Sequence, residues 1–239
     1  MSIQSTITDW LQYEPRRVKP NTGHSMYPLT TDTIFNRMKI QLPQHFIKNK
    51  KVLDLGCSIP FNEIWCKNHD VELYHGVEFF KSLVDIGNSL VQHPNKIIND
   101  TIENFVLNND LSYYDTIIIQ SSLNTVKDFI YIFEKICSSK ANIVFESTKL
   151  NISSDDPIIK LAPAGAHNTG KEHETVKVQN FYPNLQAIGV LFESNSYTVN
   201  DFPNKIMETK LPNWSKYKFC CWGISSDIKK YQYLKNVKY

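Results

Sequence analysis

The sequence predicts an α/β fold built on a doubly wound, mostly parallel sheet, and three observations carry that prediction. Short apolar runs rich in β-branched residues alternate with stretches whose apolar residues recur at helical spacing, and this alternation repeats five times. Polar residues of ligand-binding type close successive runs: Asp54, Glu78, Asp100 and Gln120. The chain has 239 residues, 41% apolar and 12% aromatic, which is enough to bury one substantial core.

The first stretch, residues 1–30, is polar and punctuated by Pro15, Pro20 and Pro28, and it reads as an N-terminal arm with a short helix around Ile7 to Leu11. Thr31-Asp32-Thr33 can cap a helix through Ile34, Met38, Ile40 and Leu42. Val52-Leu53-Asp54-Leu55 then reads as a buried parallel strand that stops at Gly56. A carboxylate inside an apolar run requires hydrogen-bond donors, so Asp54 is a candidate functional residue. Gly56 permits a tight turn, with Cys57 and Ser58 leading into a helix whose first-turn amides can face a ligand.

Phe61, Ile64 and Trp65 mark one face of that helix, and Val71 to Glu78 forms the second strand, ending in an acid 24 positions after Asp54. A carboxylate there can hold two neighbouring hydroxyls at once. Phe80, Leu83, Val84, Ile86 and Leu90 give a helical stripe in which Gly87 allows close approach to the sheet. Lys96 to Asp100 is a short third strand, and Thr101 caps the helix carrying Ile102, Phe105 and Val106. Tyr114 to Gln120 is a central strand, apolar on both faces, followed by the loop Gln120-Ser121-Ser122-Leu123-Asn124. A helix through Phe129, Ile132, Phe133 and Ile136 leads to a fifth strand, Ala141 to Ser147.

Residues 148–180 break the pattern: they are polar, carry Pro157, Pro163, Gly165 and Gly170, and read as a lid or substrate loop that holds His167 and His173. Phe181-Tyr182-Pro183 is expected to open a helix through Ile188, Leu191 and Phe192, with Pro183 in its first turn. Tyr197 to Phe202 and Lys216 to Ile224 alternate as two further strands. A tail, residues 226–239, interleaves lysine with tyrosine.

Composition narrows the function classes. A net charge of +2 gives no global case for nucleic-acid binding, and Arg16, Arg17 and Arg37 are the only arginines. The five cysteines, Cys57, Cys66, Cys137, Cys220 and Cys221, have no zinc-site spacing and read as reduced thiols of a cytoplasmic protein. The N-terminus lacks a basic start followed by an apolar run, and no apolar stretch has the length of a membrane helix.

Val52-Leu53-Asp54-Leu55-Gly56-Cys57 resembles the first motif of class I S-adenosylmethionine-dependent methyltransferases, with Ser58 where that family usually has a second glycine. Gly76-Val77-Glu78 resembles the second motif, and Asp100 falls at the third. The resemblance spans residues 31–225 and implies a Rossmann-like, seven-stranded sheet with an antiparallel C-terminal strand pair. It implies S-adenosylmethionine as cofactor, held by Asp54, Gly56, Cys57, Ser58, Glu78, Phe79, Asp100, Thr101 and Gln120, with the acid on the ribose and Asp100 and Thr101 at the adenine edge.

Asn124, His167 and Tyr182 are the candidate substrate residues. Gln120, Asn124, His167 and Tyr182 are candidates by position for a base, and no metal site is expected. A nicotinamide dinucleotide is disfavoured because after Gly56 the next glycine is Gly76. The loop after Gln120 is not the Asn/Asp-Pro-Pro-Tyr/Phe loop of adenine and cytosine amino methyltransferases, and no Pro-Cys pair marks a cytosine-C5 nucleophile. Phe181-Tyr182-Pro183 is similar to a stretch in small-molecule and tRNA wobble-uridine branches of the family. The expected acceptor is therefore a small molecule. An RNA or tRNA acceptor, or a non-catalytic binding or scaffold protein, are the alternatives.

Overall fold

The computed structural model of the chain describes residues 2–13, 30–120, 122, 123, 126, 128–148, 159–163, 179–183, 195, 197–201 and 218–225. Its helices are α1 (Ile3–Trp10), α2 (Thr31–Gln41), α3 (Gln44–Ile47), α4 (Phe61–Lys67), α5 (Lys81–Leu90), α6 (Ile102–Asn108) and α7 (Phe129–Ser138). The strands are β1 (Lys51–Leu55), β2 (Leu73–Glu78), β3 (Lys96–Asn99), β4 (Thr116–Gln120), β5 (Asn142–Thr148), β6 (Ile159–Pro163), β7 (Gln179–Pro183), β8 (Tyr197–Asp201) and β9 (Lys218–Ser225).

A parallel sheet flanked by helices forms the body, with strand order β3-β2-β1-β4-β5. Beyond β5, the register continues antiparallel, with Ile143 opposite Gly223 on β9 and Tyr197 of β8 opposite Ser225. The order changes direction between β1 and β4, the switch point outside whose strand ends open α/β sheets place a ligand crevice.

The two-residue period of each strand sorts its side chains between two cores. Leu53, Leu55, Ile117, Ile119, Ile143 and Phe145 pack with α6 and α7 on one face. Val52, Tyr74, Ile118 and Val144 pack with α1, α2 and α4 on the other. Asp54, Glu78, Gln120 and Glu146 share the parity of this second set, so the sheet aims all four polar side chains at the face covered by α2 and α4.

Several local readings hold in detail. Thr101 caps α6 through its hydroxyl on the Asn104 amide. At Gly87, an added Cβ would come within 2.8 Å of Ile97, so glycine is what lets α5 lie against β3. The cap of α2 is Thr30 rather than Thr31, one residue earlier than the pattern suggests. Cys66 and Cys137 are buried free thiols.

Two expectations are overturned. Residues 148–180 are not loop throughout, because β6 lies inside them. The segment expected to open a helix at Pro183 is instead β7, paired antiparallel with β6 so that Leu161 faces Phe181 and Lys160 faces Tyr182. Adjacent aromatics favour a pleated strand, and Pro183 sits at its last position, where a missing N–H is tolerated. Ile188, Leu191 and Phe192 lie outside the described residues, as does the tail after residue 225.

Candidate functional site

The turn after β1 is fixed by the backbone. Gly56 has φ +74°, and both its N–H and that of Cys57 donate to the Val77 carbonyl of β2, at 2.9 and 3.1 Å. A Cβ at Gly56 would lie 2.4 Å from the Ser122 Cβ, so glycine is required by space as well as by φ. Ser58 adopts φ +53°, the left-handed conformation that glycine favours.

Glu78, at the end of β2, stabilises that shape. Its Oε2 accepts the Ser58 N–H at 3.0 Å and its Oε1 accepts the Phe80 N–H at 2.9 Å. The carboxyl is 6% exposed, and burial raises its pKa above the usual carboxylate range despite those amides. Each oxygen retains acceptor capacity. The next residue, Phe79, leaves 60% of its surface open beside the crevice.

Asp54 points from β1 toward α4. Its Oδ2 receives the Tyr74 hydroxyl at 2.7 Å and the Asn62 amide at 2.8 Å. Burial pushes its carboxyl up, and those two donors and Arg37 pull the other way. Asp100 lies beyond β3 and is held by Asn104, whose Nδ2 reaches both carboxylate oxygens, and by the Thr101 N–H at 2.8 Å.

A second cluster occupies the carboxyl ends of β4 and β5. Gln120 and Glu146 are register partners, and two α2 residues reach them. Gln41 donates to Glu146 Oε2 at 2.8 Å and accepts from Gln120, while Arg37 donates to Gln120 Oε1 and lies 3.5 Å from Glu146 Oε2. Asn62 joins the clusters, giving its other amide hydrogen to Gln120 Oε1 at 2.9 Å. The helix that supplies Arg37 and Gln41 is seated by Trp65, whose indole N–H reaches the Leu42 carbonyl at 2.9 Å and whose ring packs edge-on against Phe35.

Asp54, Gly56, Cys57, Ser58, Glu78, Phe79, Asp100, Thr101 and Gln120 therefore fall along the ends of β1 to β4. Gln120 is not suited to act as a base, because its carbonyl oxygen already accepts from two side chains. Asn124 and His167 lie outside the described residues, and for Tyr182 only its backbone place on β7 is described. Sequence reasoning missed Arg37, Gln41, Asn62, Tyr74 and Glu146 as site residues. Glu146 carried the signal that found Glu78, a lone acid closing an apolar strand.

No protein-family model matches the chain, and no curated protein matches it in sequence. Solved structures do. An S-adenosylmethionine dependent methyltransferase from Mesorhizobium loti is 12% identical with a TM-score of 0.56, over 79% of this chain and 96% of that one. Magnesium protoporphyrin IX methyltransferase from Synechocystis PCC 6803, with bound SAM, is 12% identical with a TM-score of 0.54, over 95% and 98%. A Burkholderia thailandensis 1,6-didemethyltoxoflavin-N1-methyltransferase, with bound 1,6-didemethyltoxoflavin and S-adenosylhomocysteine, is 9% identical with a TM-score of 0.56, over 93% and 88%.

The chain has the fold of class I S-adenosylmethionine-dependent methyltransferases. Among the described residues no helix is long and apolar enough to cross a membrane, and no group of His, Cys, Asp and Glu could hold a metal ion.

Proposed function

We propose that the chain is an S-adenosylmethionine-dependent methyltransferase acting on a small-molecule acceptor. The observation that carries this reading is the state of Glu78. Two carboxylate oxygens, anchored by the Ser58 and Phe80 backbone N–H groups and with acceptor capacity left, suit two adjacent ribose hydroxyls. The exposed face of Phe79 beside it suits a purine ring. The cofactor's residues are then Asp54, Gly56, Cys57, Ser58, Glu78, Phe79, Asp100, Thr101 and Gln120.

S-adenosylmethionine supplies a methyl group already activated on a sulfonium. What remains for the protein is proximity and orientation, which the backbone-locked turn at Gly56 and the pinned polar groups of β1 and β4 provide.

The acceptor side belongs to Asn124, His167 and Tyr182, within a methyltransferase domain of residues 31–225 whose inserted substrate segment, 148–180, carries β6. Residues 1–30 are its arm and 226–239 its tail. The seven-stranded class I sheet, completed by antiparallel β9 and β8, is part of the same reading. The small-molecule assignment draws support from the toxoflavin and protoporphyrin enzymes that share the fold. The free thiols of Cys57, Cys66 and Cys137 support a cytoplasmic setting.

Isothermal titration with S-adenosylmethionine and S-adenosylhomocysteine tests the reading. Wild type is expected to bind both with affinity of order micromolar, and Glu78→Ala to lose about tenfold or more, since hydrogen bonds to a charged group are removed. No heat from wild type at millimolar ligand would overturn it.

A further inference from the structure

Asp54 is 1% exposed on β1, where a carboxylate without donors would give up its charge. Its register partner on β2, Gly76, has no side chain to offer, and the Cys57 Sγ lies 2.6 Å from where a Cβ would stand there. The donor comes from the diagonal position instead. Tyr74, opposite Val52 and on the same face as Asp54, places its hydroxyl 2.7 Å from Asp54 Oδ2. The Asn62 amide lands on the same oxygen at 2.8 Å. Tyr74 is fixed at its other end as well: its N–H donates to Asn95 Oδ1 at 2.9 Å, and Asn95 Nδ2 donates to Glu63 Oε1 at 2.9 Å. The ring is 0% exposed, and burial together with the Asp54 charge holds the phenol well above its ordinary pKa, so it remains a donor.

We propose that Tyr74 is a positioning residue for the cofactor site: its hydroxyl holds Asp54 as an oriented anion and so sets the lower pH limit at which the site takes a cationic cofactor. The charged and titratable groups around Asp54 are Tyr74 and Glu78 from β2, Cys57 from the turn, Cys66 from α4 and Arg37 from α2. Burial keeps both thiols neutral, and the Glu78 carboxyl opposes a second negative charge beside it. Arg37 favours the anion but is shared with Glu146 and Gln120. Burial pushes the Asp54 carboxyl up, and the Tyr74 hydroxyl is the strongest influence pulling it back. Without that hydroxyl, Asp54 takes its proton at higher pH, and a cationic ligand loses its counter-charge as pH falls through the new midpoint. The ligand's identity rests on the methyltransferase reading, whereas the coupling of Tyr74 to Asp54 does not.

The experiment compares wild type with Tyr74→Phe, which keeps the ring and removes only the oxygen. Infrared titration follows the carboxyl band of the ligand-free protein that Asp54→Asn abolishes. Its midpoint is expected to rise by about one pH unit in Tyr74→Phe, for the loss of a hydrogen bond to a charged group. Calorimetric titration with S-adenosylmethionine from about pH 5 to about pH 9 is expected to give equal affinities at the alkaline end and several-fold weaker binding to Tyr74→Phe at the acid end. A merely structural role would weaken binding alike at every pH. An unmoved carboxyl midpoint overturns the assignment, as does a loss of affinity that does not depend on pH. If Tyr74→Phe does not fold, 3-fluorotyrosine in place of Tyr74 supplies a stronger donor of nearly the same size, and the midpoint must then fall; no movement overturns the assignment equally. Wild type that binds no S-adenosylmethionine while the midpoint still moves with Tyr74→Phe overturns the methyltransferase reading and leaves the coupling standing.

Discussion

At the β1–β2 end of the crevice a carboxylate is held by backbone amides from its own surroundings, Ser58 and Phe80, the latter two residues away. At the β4–β5 end an amide is held by side chains from across the chain, with Arg37 and Gln120 separated by 83 positions and Gln41 and Glu146 by 105. Both arrangements fix a polar group at a strand terminus. They differ in what can disturb them. Backbone donors survive most substitutions, so the first end is vulnerable only where the main chain needs a particular residue. The second end depends on every side chain in it, because removing one partner leaves another polar group buried without its bond.

The sharpest way to break the first end is Gly56→Ala. The new methyl would have to displace Ser122, whose Oγ bonds the Leu55 carbonyl at 2.5 Å, and the backbone would hold a non-glycine residue at φ +74°. A loss of about 3 kcal/mol in denaturant unfolding is expected from strain and contact together. Ser58→Gly is the matched control. It relaxes the same kind of φ with no contact to lose, and a stability within about 1 kcal/mol of wild type is expected. A Gly56→Ala protein as stable as wild type would show that the turn does not need its glycine.

The second end is tested by Glu146→Gln, which keeps the shape and an acceptor for Gln41 but removes the charge facing Arg37. The Glu146 side chain is fully buried and that of Arg37 is 22% exposed, so the variant removes a carboxylate that faces the cation with little water to replace it. A destabilisation of about 2 kcal/mol is expected, below the cost of breaking a fully buried pair because Arg37 keeps Gln120 and some solvent. Stability equal to wild type would mean that the pair contributes no more than a surface ion pair.

These two ends also mark how far the sequence could be read. Asp54, Gly56 and Glu78 are legible because a strand-turn-helix-strand unit is local: spacing alone brings the turn against the end of the next strand. The register puts Gln120 and Glu146 on one face with Asp54, which alternation within strands apolar on both faces does not reveal. What no pattern gives is the partner. Arg37 and Gln41 sit on a helix read for its apolar stripe, and whether its polar face reaches β4 depends on how Trp65 and Leu42 seat it. Phe181-Tyr182-Pro183 failed for a related reason, since a strand at that point exists through pairing with β6, and that pairing leaves no mark within the segment itself.

The smallest expected effect separates structure from binding at a residue that serves the first end from further along the chain. Thr101 was expected at the adenine edge, yet its hydroxyl caps α6 on the Asn104 N–H at 3.0 Å. An occupied cap and a ligand contact make different demands on one oxygen. If the hydroxyl only caps the helix, Thr101→Ala should lower stability by about 1 kcal/mol and leave S-adenosylhomocysteine affinity unchanged, while Thr101→Ser restores the stability. If affinity falls several-fold in the alanine variant and the serine variant recovers it, the hydroxyl reaches the nucleoside as well. The backbone-held end would then extend through the α6 cap to the Asp100–Asn104 pair, whose carboxylate is already oriented by two amide bonds at 2.8 and 3.0 Å.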